Sequence, residues 1–137
     1  MKALCLVLFS VALAGSLRAE ADGEDDPMYL RGRTVFNQCR GCHTVNPQQA
    51  SLMKGPSLRG IVGRKAGTLP GYADYSAAMV KSGIVWTPEL IEAYIGNPKA
   101  LVPDNKMAFV GLSDPQDRKA VVTYLGRVTT DLSLIHI

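Results

Sequence analysis

The sequence predicts an all-α domain of about four to five short helices and long loops, and three observations point there. Polar–proline pairs recur at Asp26-Pro27, Thr87-Pro88 and Asp114-Pro115, each reading as a helix N-cap followed by its first helical position. Apolar residues follow these starts at helical spacing, and no segment alternates convincingly as a half-buried strand would. Residues 44–75 are rich in Gly, Pro, Ser and Gln and read as loop. The 137 residues make one domain, and 20% charged with 47% hydrophobic residues excludes a disordered or collagen-like chain. There are no internal repeats and no glycine-rich phosphate loop.

Taken in order, residues 1–21 read as a cleaved secretory signal. Lys2 supplies the positive start, an apolar run extends from Ala3 to about Leu17, and Ala19-Glu20-Ala21 fits the small-x-small cleavage rule. The run is short for a bilayer span, which leaves an uncleaved N-terminal anchor as the lesser alternative. Residues 22–27 form an acidic leader. The domain proper, 28–129, opens with a helix to about Cys39 carrying Met28, Val35, Phe36 and Cys39. A short helix follows at Ser76–Ser82, stopped by Gly83. Thr87-Pro88-Glu89 starts another, with Leu90, Ile91, Tyr94 and Ile95 as its apolar face, and Gly96 and Pro98 end it. Pro98–Leu101 makes a further turn. Asp114-Pro115 starts the last helix, with Val121, Val122, Leu125 and Val128 at helical spacing. Residues 130–137 are a tail. A body of roughly 100 residues with so much loop cannot bury a sufficient core unaided, so something else should fill its interior.

The formal net charge of +3 hides an asymmetry. The 15 basic and 12 acidic residues become 13 and 11 once Lys2, Arg18 and Glu20 leave with the signal; setting aside Asp22, Glu24, Asp25 and Asp26 leaves 13 against 7, or +6, from Pro27 onward.

Cys39-Arg40-Gly41-Cys42-His43 is C-x-x-C-H, the attachment signature for c-type haem. Two thiols three positions apart lie on one side of a helical turn and can add to the two vinyl groups of a porphyrin, and His43 is then held over the iron as proximal ligand. A thioredoxin-like redox pair needs a βαβ context, which is absent. A zinc site needs a fourth ligand, and no second C-x-x-C exists. For the sixth position, His136 lies in the tail. Among Met28, Met53, Met79 and Met107, the last sits in the proline-bounded loop Pro103-Asp104-Asn105-Lys106-Met107, which can carry a side chain to the far face of a haem.

The chain closely resembles the class I cytochromes c, the soluble mitochondrial type and its bacterial relatives, from about Gly32 to Leu125. The matching runs are G-R-T-V-F-N-Q-C-R-G-C-H-T-V (32–45), G-P-S-L-R-G-I-V-G-R-K-A-G (55–67), P-G-Y-A-D-Y-S-A-A-M (70–79), G-I-V-W (83–86), Y-I-G-N-P-K (94–99) and P-D-N-K-M-A-F-V-G (103–111). The resemblance implies the cytochrome c fold wrapped around one covalent haem, with Cys39 and Cys42 as thioether attachments and His43 and Met107 as axial ligands. It implies that the Pro56 carbonyl accepts the His43 ring N–H, that Arg64, Tyr75 and Trp86 serve a buried haem propionate, that Tyr94 lies near the methionine sulfur, and that Gly32 meets Tyr124-Leu125 where first and last helices touch. There are departures. Asp104 stands where the family often has glycine, and Asp tolerates left-handed geometry better than most residues. Asn105 replaces a small hydroxyl and can still donate a hydrogen bond. One extra residue sits between Gly71 and Tyr75. Ser133–Ile137 match nothing in the family and resemble translated adapter read-through.

The function expected is therefore a periplasmic, monomeric, single-haem electron carrier, without enzymatic chemistry because two strong axial ligands leave no open position. The basic body suggests steering toward acidic docking faces on membrane respiratory or photosynthetic complexes or on periplasmic reductases or dehydrogenases, with Arg40, Lys54, Lys99 and Lys106 as candidate contacts. No nucleic-acid partner is expected, and no membrane span after cleavage. Two alternatives stand beside it: a dedicated haem subunit of one periplasmic dehydrogenase, and a peroxidase or ligand-binding sensor in which Met107 is absent or labile.

Overall fold

Each helix starts where a short polar side chain replaces the missing backbone partner. The computed structural model describes residues 26–130; the signal, most of the leader and residues 131–137 lie outside the described residues. Asp26 accepts a hydrogen bond from the Met28 amide and opens α1, Pro27–Val35. Ser76 caps α2, Ala77–Lys81. Thr87 caps α3, Pro88–Gly96. Asn97 caps α4, Pro98–Leu101. Asp114 accepts from Gln116 ahead of α5, Pro115–Thr130. Proline at the first position of α1, α3, α4 and α5 costs nothing there, because that amide would have no helical partner.

Two boundaries differ from those the sequence predicts. The first helix does not run to Cys39 as one α-helix: α1 ends at Val35 and tightens into a 3-10 turn, Phe36–Gln38, which turns the chain into the C-x-x-C-H segment. The stretch 44–75 is not all loop, because Asn46 caps a 3-10 helix at Pro47–Leu52. The described residues contain no strand; a single antiparallel bridge joins Lys65 and Val85.

The core is small. Helices α1 and α5 cross at Gly32, and Tyr124 stacks against both Tyr29 (5.5 Å between ring centroids) and Phe36 (5.2 Å). Phe36, Val121 and Leu125 are each within 2% of complete burial, and a side chain of that kind stabilises by about 1.5–3 kcal/mol. Arg31 ties the crossing from outside, reaching Asp114 and Asp117 at 2.7 Å. At the other end Asp26 pairs with Arg127 while its second carboxylate oxygen caps α1.

The long middle segment is held by backbone pairing. Gly63 donates to the Trp86 carbonyl (2.7 Å), Trp86 to Arg64 (3.0 Å) and Ala66 to Ile84 (2.8 Å). Leu112 donates to Ile95 at 2.8 Å, which returns the chain past the end of α3.

Candidate haem site

The motif occupies one tight turn. Cys42 and His43 both donate their amides to the Cys39 carbonyl, at 3.1 and 2.9 Å, so the two cysteines and the histidine follow one another around a single helical turn. Cys42 is exposed and Cys39 half-buried, and burial chiefly pushes the Cys39 thiol's pKa up. Among the described residues no three His, Cys, Asp or Glu side chains cluster as a metal site.

His43 is held in a single tautomer. Its Nδ1 lies 2.8 Å from the Pro56 carbonyl oxygen. A carbonyl can only accept, so Nδ1 carries the proton and Nε2 keeps its lone pair. Burial lowers the imidazole pKa below its ordinary value, against the opposing Pro56 bond, and so favours the neutral form that binds iron. Pro56 is fixed because Gly55 donates to the Cys42 carbonyl (2.8 Å) and Leu58 to the Thr44 carbonyl (2.9 Å). Gly55 is required sterically: a Cβ there would lie 2.5 Å from His43 Cε1. Beside the ring a cleft of ≈ 350 Å³ opens between Phe36, Val45, Leu52 and Met53. A second cleft of ≈ 400 Å³, at Glu89, Glu92 and Arg118, shares no lining residue with the motif.

The Met107 loop is pinned from within. Asn105 is buried, its amide nitrogen donates to the Val102 carbonyl at 2.8 Å and its Oδ1 accepts the Met107 amide at 2.9 Å. The Asn105 donor is thus used within its own loop. Asp104 has φ 61°, the left-handed geometry anticipated where the family often has glycine. Met107 itself is half-buried against the apolar core.

The remaining predicted residues divide into two groups. Trp86 and Tyr94 are buried, with rings 5.1 Å apart, and burial pushes the Tyr94 phenol up to about 12. Neither the Trp86 indole N–H nor the Tyr94 hydroxyl donates to any described residue, although among those residues no enclosed side-chain polar atom lacks a partner. Burial chiefly lowers the Arg64 pKa and raises that of the Tyr75 phenol, and the charge of each partly offsets the shift of the other. Arg64 donates to the carbonyls of Arg59 (3.1 Å) and Ser57 (2.8 Å). Sequence reasoning passed over Tyr72, whose hydroxyl donates to the Lys54 carbonyl at 2.8 Å and whose ring meets Tyr75 edge-on at 4.8 Å; its place in the P-G-Y-A-D-Y run was the available signal.

Two thiols on one turn, an imidazole whose Nε2 is left unprotonated, and buried aromatic donors with no acceptor among the described residues fit a haem. The comparisons agree. The Cytochrome c family model matches residues 29–129. The chain is 45% identical over 125 residues to cytochrome c2 of Rhodomicrobium vannielii, covering 91% of this chain and 95% of that protein. It is 37% identical over 131 residues to cytochrome c2 of Blastochloris viridis, covering 96% and 97%. Among solved structures it resembles cytochrome cH from Methylobacterium extorquens, with a TM-score of 0.64 and 36% identity over 72% of this chain and 97% of that one. The chain belongs to the cytochrome c family, as a class I member that carries haem c covalently through Cys39 and Cys42.

Proposed function

We propose that the chain is a periplasmic electron shuttle whose haem iron is held between His43 and Met107. That it is a single-haem electron carrier and not an enzyme follows from its family and its cytochrome c2 relatives. Haem iron supplies one-electron chemistry, cycling between ferric and ferrous states. This chain's residues do the rest. Pro56 orients and polarises His43. Asn105 holds Met107 in place, and Trp86, Tyr75 and Arg64 supply donors for a propionate.

The observation that carries the reading is the pinned loop presenting Met107. A thioether held there would serve as the second protein ligand to the iron, favour the ferrous state and leave no site for substrate. Export is supported by residues 1–21, with their signal-like order of charge, apolar run and small-x-small end. No helix among the described residues is long and apolar enough to cross a membrane. The basic body supports docking on acidic partner faces; Arg40, Lys54 and Lys99 are exposed, whereas Lys106 is engaged by Asp74.

Near-infrared spectroscopy tests the ligand assignment. Ferric protein should show the methionine–iron band at neutral pH, and reduced protein should not bind carbon monoxide readily. Met107→Ala should abolish the band and lower the potential. A band that survives Met107→Ala means that another residue is the ligand.

A further inference from the structure

The segment around Asp74 touches both loops that carry the proposed iron ligands. On one side, the Tyr72 hydroxyl donates to the Lys54 carbonyl, one residue before Gly55 and two before Pro56, which seat His43. On the other, the Lys106 ammonium meets the Asp74 carboxylate, and the same nitrogen lies 3.4 Å from the Asp74 carbonyl oxygen. Lys106 immediately precedes Met107. Between these two fastenings Tyr72 packs edge-on against Tyr75.

We infer that Asp74 is a positioning residue: acting through Lys106, it latches the Met107 loop closed and sets how readily Met107 gives way to an external ligand. The inference rests on Met107 being the sixth ligand. Release of Met107 is a local opening of the 102–107 loop, and a contact present only in the closed form shifts that equilibrium by its own strength. Asn105 supplies the inner anchor. The Lys106–Asp74 pair is the outer one, with side chains 57% and 74% exposed. A pair so exposed is weak, screened by salt, and shifts an equilibrium by roughly two- to fivefold.

The test is titration of the ferric holoprotein with imidazole, read in the visible and near-infrared spectrum at low and high salt. Asp74→Ala should bind imidazole roughly two- to fivefold more tightly at low ionic strength, with the difference closing at high salt. Asp74→Glu should restore the parent affinity. Lys106→Gln should reproduce the gain, and the double variant Asp74→Ala with Lys106→Gln should bind no more tightly than either single variant. Unchanged affinity in Asp74→Ala at low salt, or additive effects in the double variant, overturns the latch. Met107→Ala separates the two failures. If it abolishes the methionine band while Asp74→Ala leaves imidazole affinity unchanged, only the latch falls; if the band survives Met107→Ala, the ligand assignment falls and takes the latch with it.

Discussion

Gly32 of α1 lies so close to Ala120 of α5 that a Cβ on the glycine would stand 1.9 Å from the Ala120 carbonyl oxygen. The obstruction is backbone inside a helix, so it cannot swing aside as a flexible side chain would. Gly32→Ala gains up to about 1 kcal/mol of helix propensity but forces the two helices apart. With Tyr29, Phe36 and Tyr124 packed around the crossing, the loss prevails, and a net destabilisation of about 2 kcal/mol is expected. Gly126 on α5 is the control. A Cβ there meets nothing within 4 Å, so Gly126→Ala should be neutral or stabilising by up to about 1 kcal/mol. Denaturant unfolding of both holoproteins checks the pair; equal effects would mean that helix propensity, not the crossing, governs both sites.

The Gly32 crossing also marks where the sequence was readable. Helix starts were plain because a polar cap and a fixed φ are chosen by two adjacent residues, as at Thr87-Pro88. The Pro47–Leu52 turn has the same signal in Asn46-Pro47, but Gln48, Gln49 and Ser51 give it no apolar face, so periodicity was silent. The helix end after Val35 has no local signal, because Phe36 and Cys39 keep helical spacing while the backbone tightens. Of the site, the C-x-x-C-H motif and the proline-bounded Met107 loop are legible from local spacing, whereas Pro56, Arg64, Tyr75, Trp86 and Tyr94 come only through the family resemblance. The carbonyls of Arg59 and Ser57 that hold Arg64, and the meeting of Asp74 with Lys106 across 32 residues, depend on how loops pass in space, and local spacing does not encode that.

Asn105 is expected to govern whether Met107 stays in place. Its side chain is buried and satisfies the Val102 carbonyl and the Met107 amide together. Asn105→Ala strands the Met107 amide and leaves the Val102 carbonyl only the Asn105 backbone N–H at 3.3 Å, at a cost of about 1–3 kcal/mol borne chiefly by this loop. The methionine band should then vanish at lower denaturant or temperature than the global unfolding transition. Asn105→Asp keeps the acceptor for Met107 but loses the donor to Val102, and should fall between. Coincident loss of the band and of global structure in Asn105→Ala would show that the loop does not open on its own.

Tyr94 predicts an alkaline loss of stability. Burial raises its phenol from 10.0 to about 12, so above pH 10 the unfolded chain ionises this group while the folded chain keeps it neutral. The folded state then binds more protons, and stability falls as pH rises through that window. Tyr94→Phe should flatten the decline between pH 10 and 12. Unfolding free energies measured across that range check it, and a slope unchanged by the substitution would assign the decline to other groups.

Electrostatic steering makes a prediction about rates. The body carries +6 from Pro27 onward, and Arg40 and Lys54 are exposed close to the Cys39–His43 turn and the Pro56 loop. Arg40→Gln or Lys54→Gln should slow electron transfer to an acidic redox partner a few-fold at low salt, through slower association, and flatten its salt dependence. Stopped-flow rates across ionic strength decide this, and a wild-type rate independent of salt would remove steering altogether.

Gly55 should control the orientation of His43. A Cβ there would lie 2.5 Å from Cε1, 2.8 Å from Nδ1 and 2.9 Å from the Cys42 carbonyl. The ring cannot retreat freely, because its Nδ1 is bonded to Pro56 and the next residue back is Cys42. Gly55→Ala must therefore tilt the imidazole, lengthen the Pro56 bond, or shift the Cys42–His43 backbone. The thiols are not obstructed, so covalent haem should still form. What changes is the proximal field: a weakened Nδ1–H to carbonyl bond lowers the basicity of the coordinating nitrogen and should raise the reduction potential, with about 1–3 kcal/mol lost from overpacking. Electron paramagnetic resonance of the ferric protein reads the tilt directly, and g-values, potential and stability all matching the parent protein would mean that the 55–56 segment yields without disturbing the histidine.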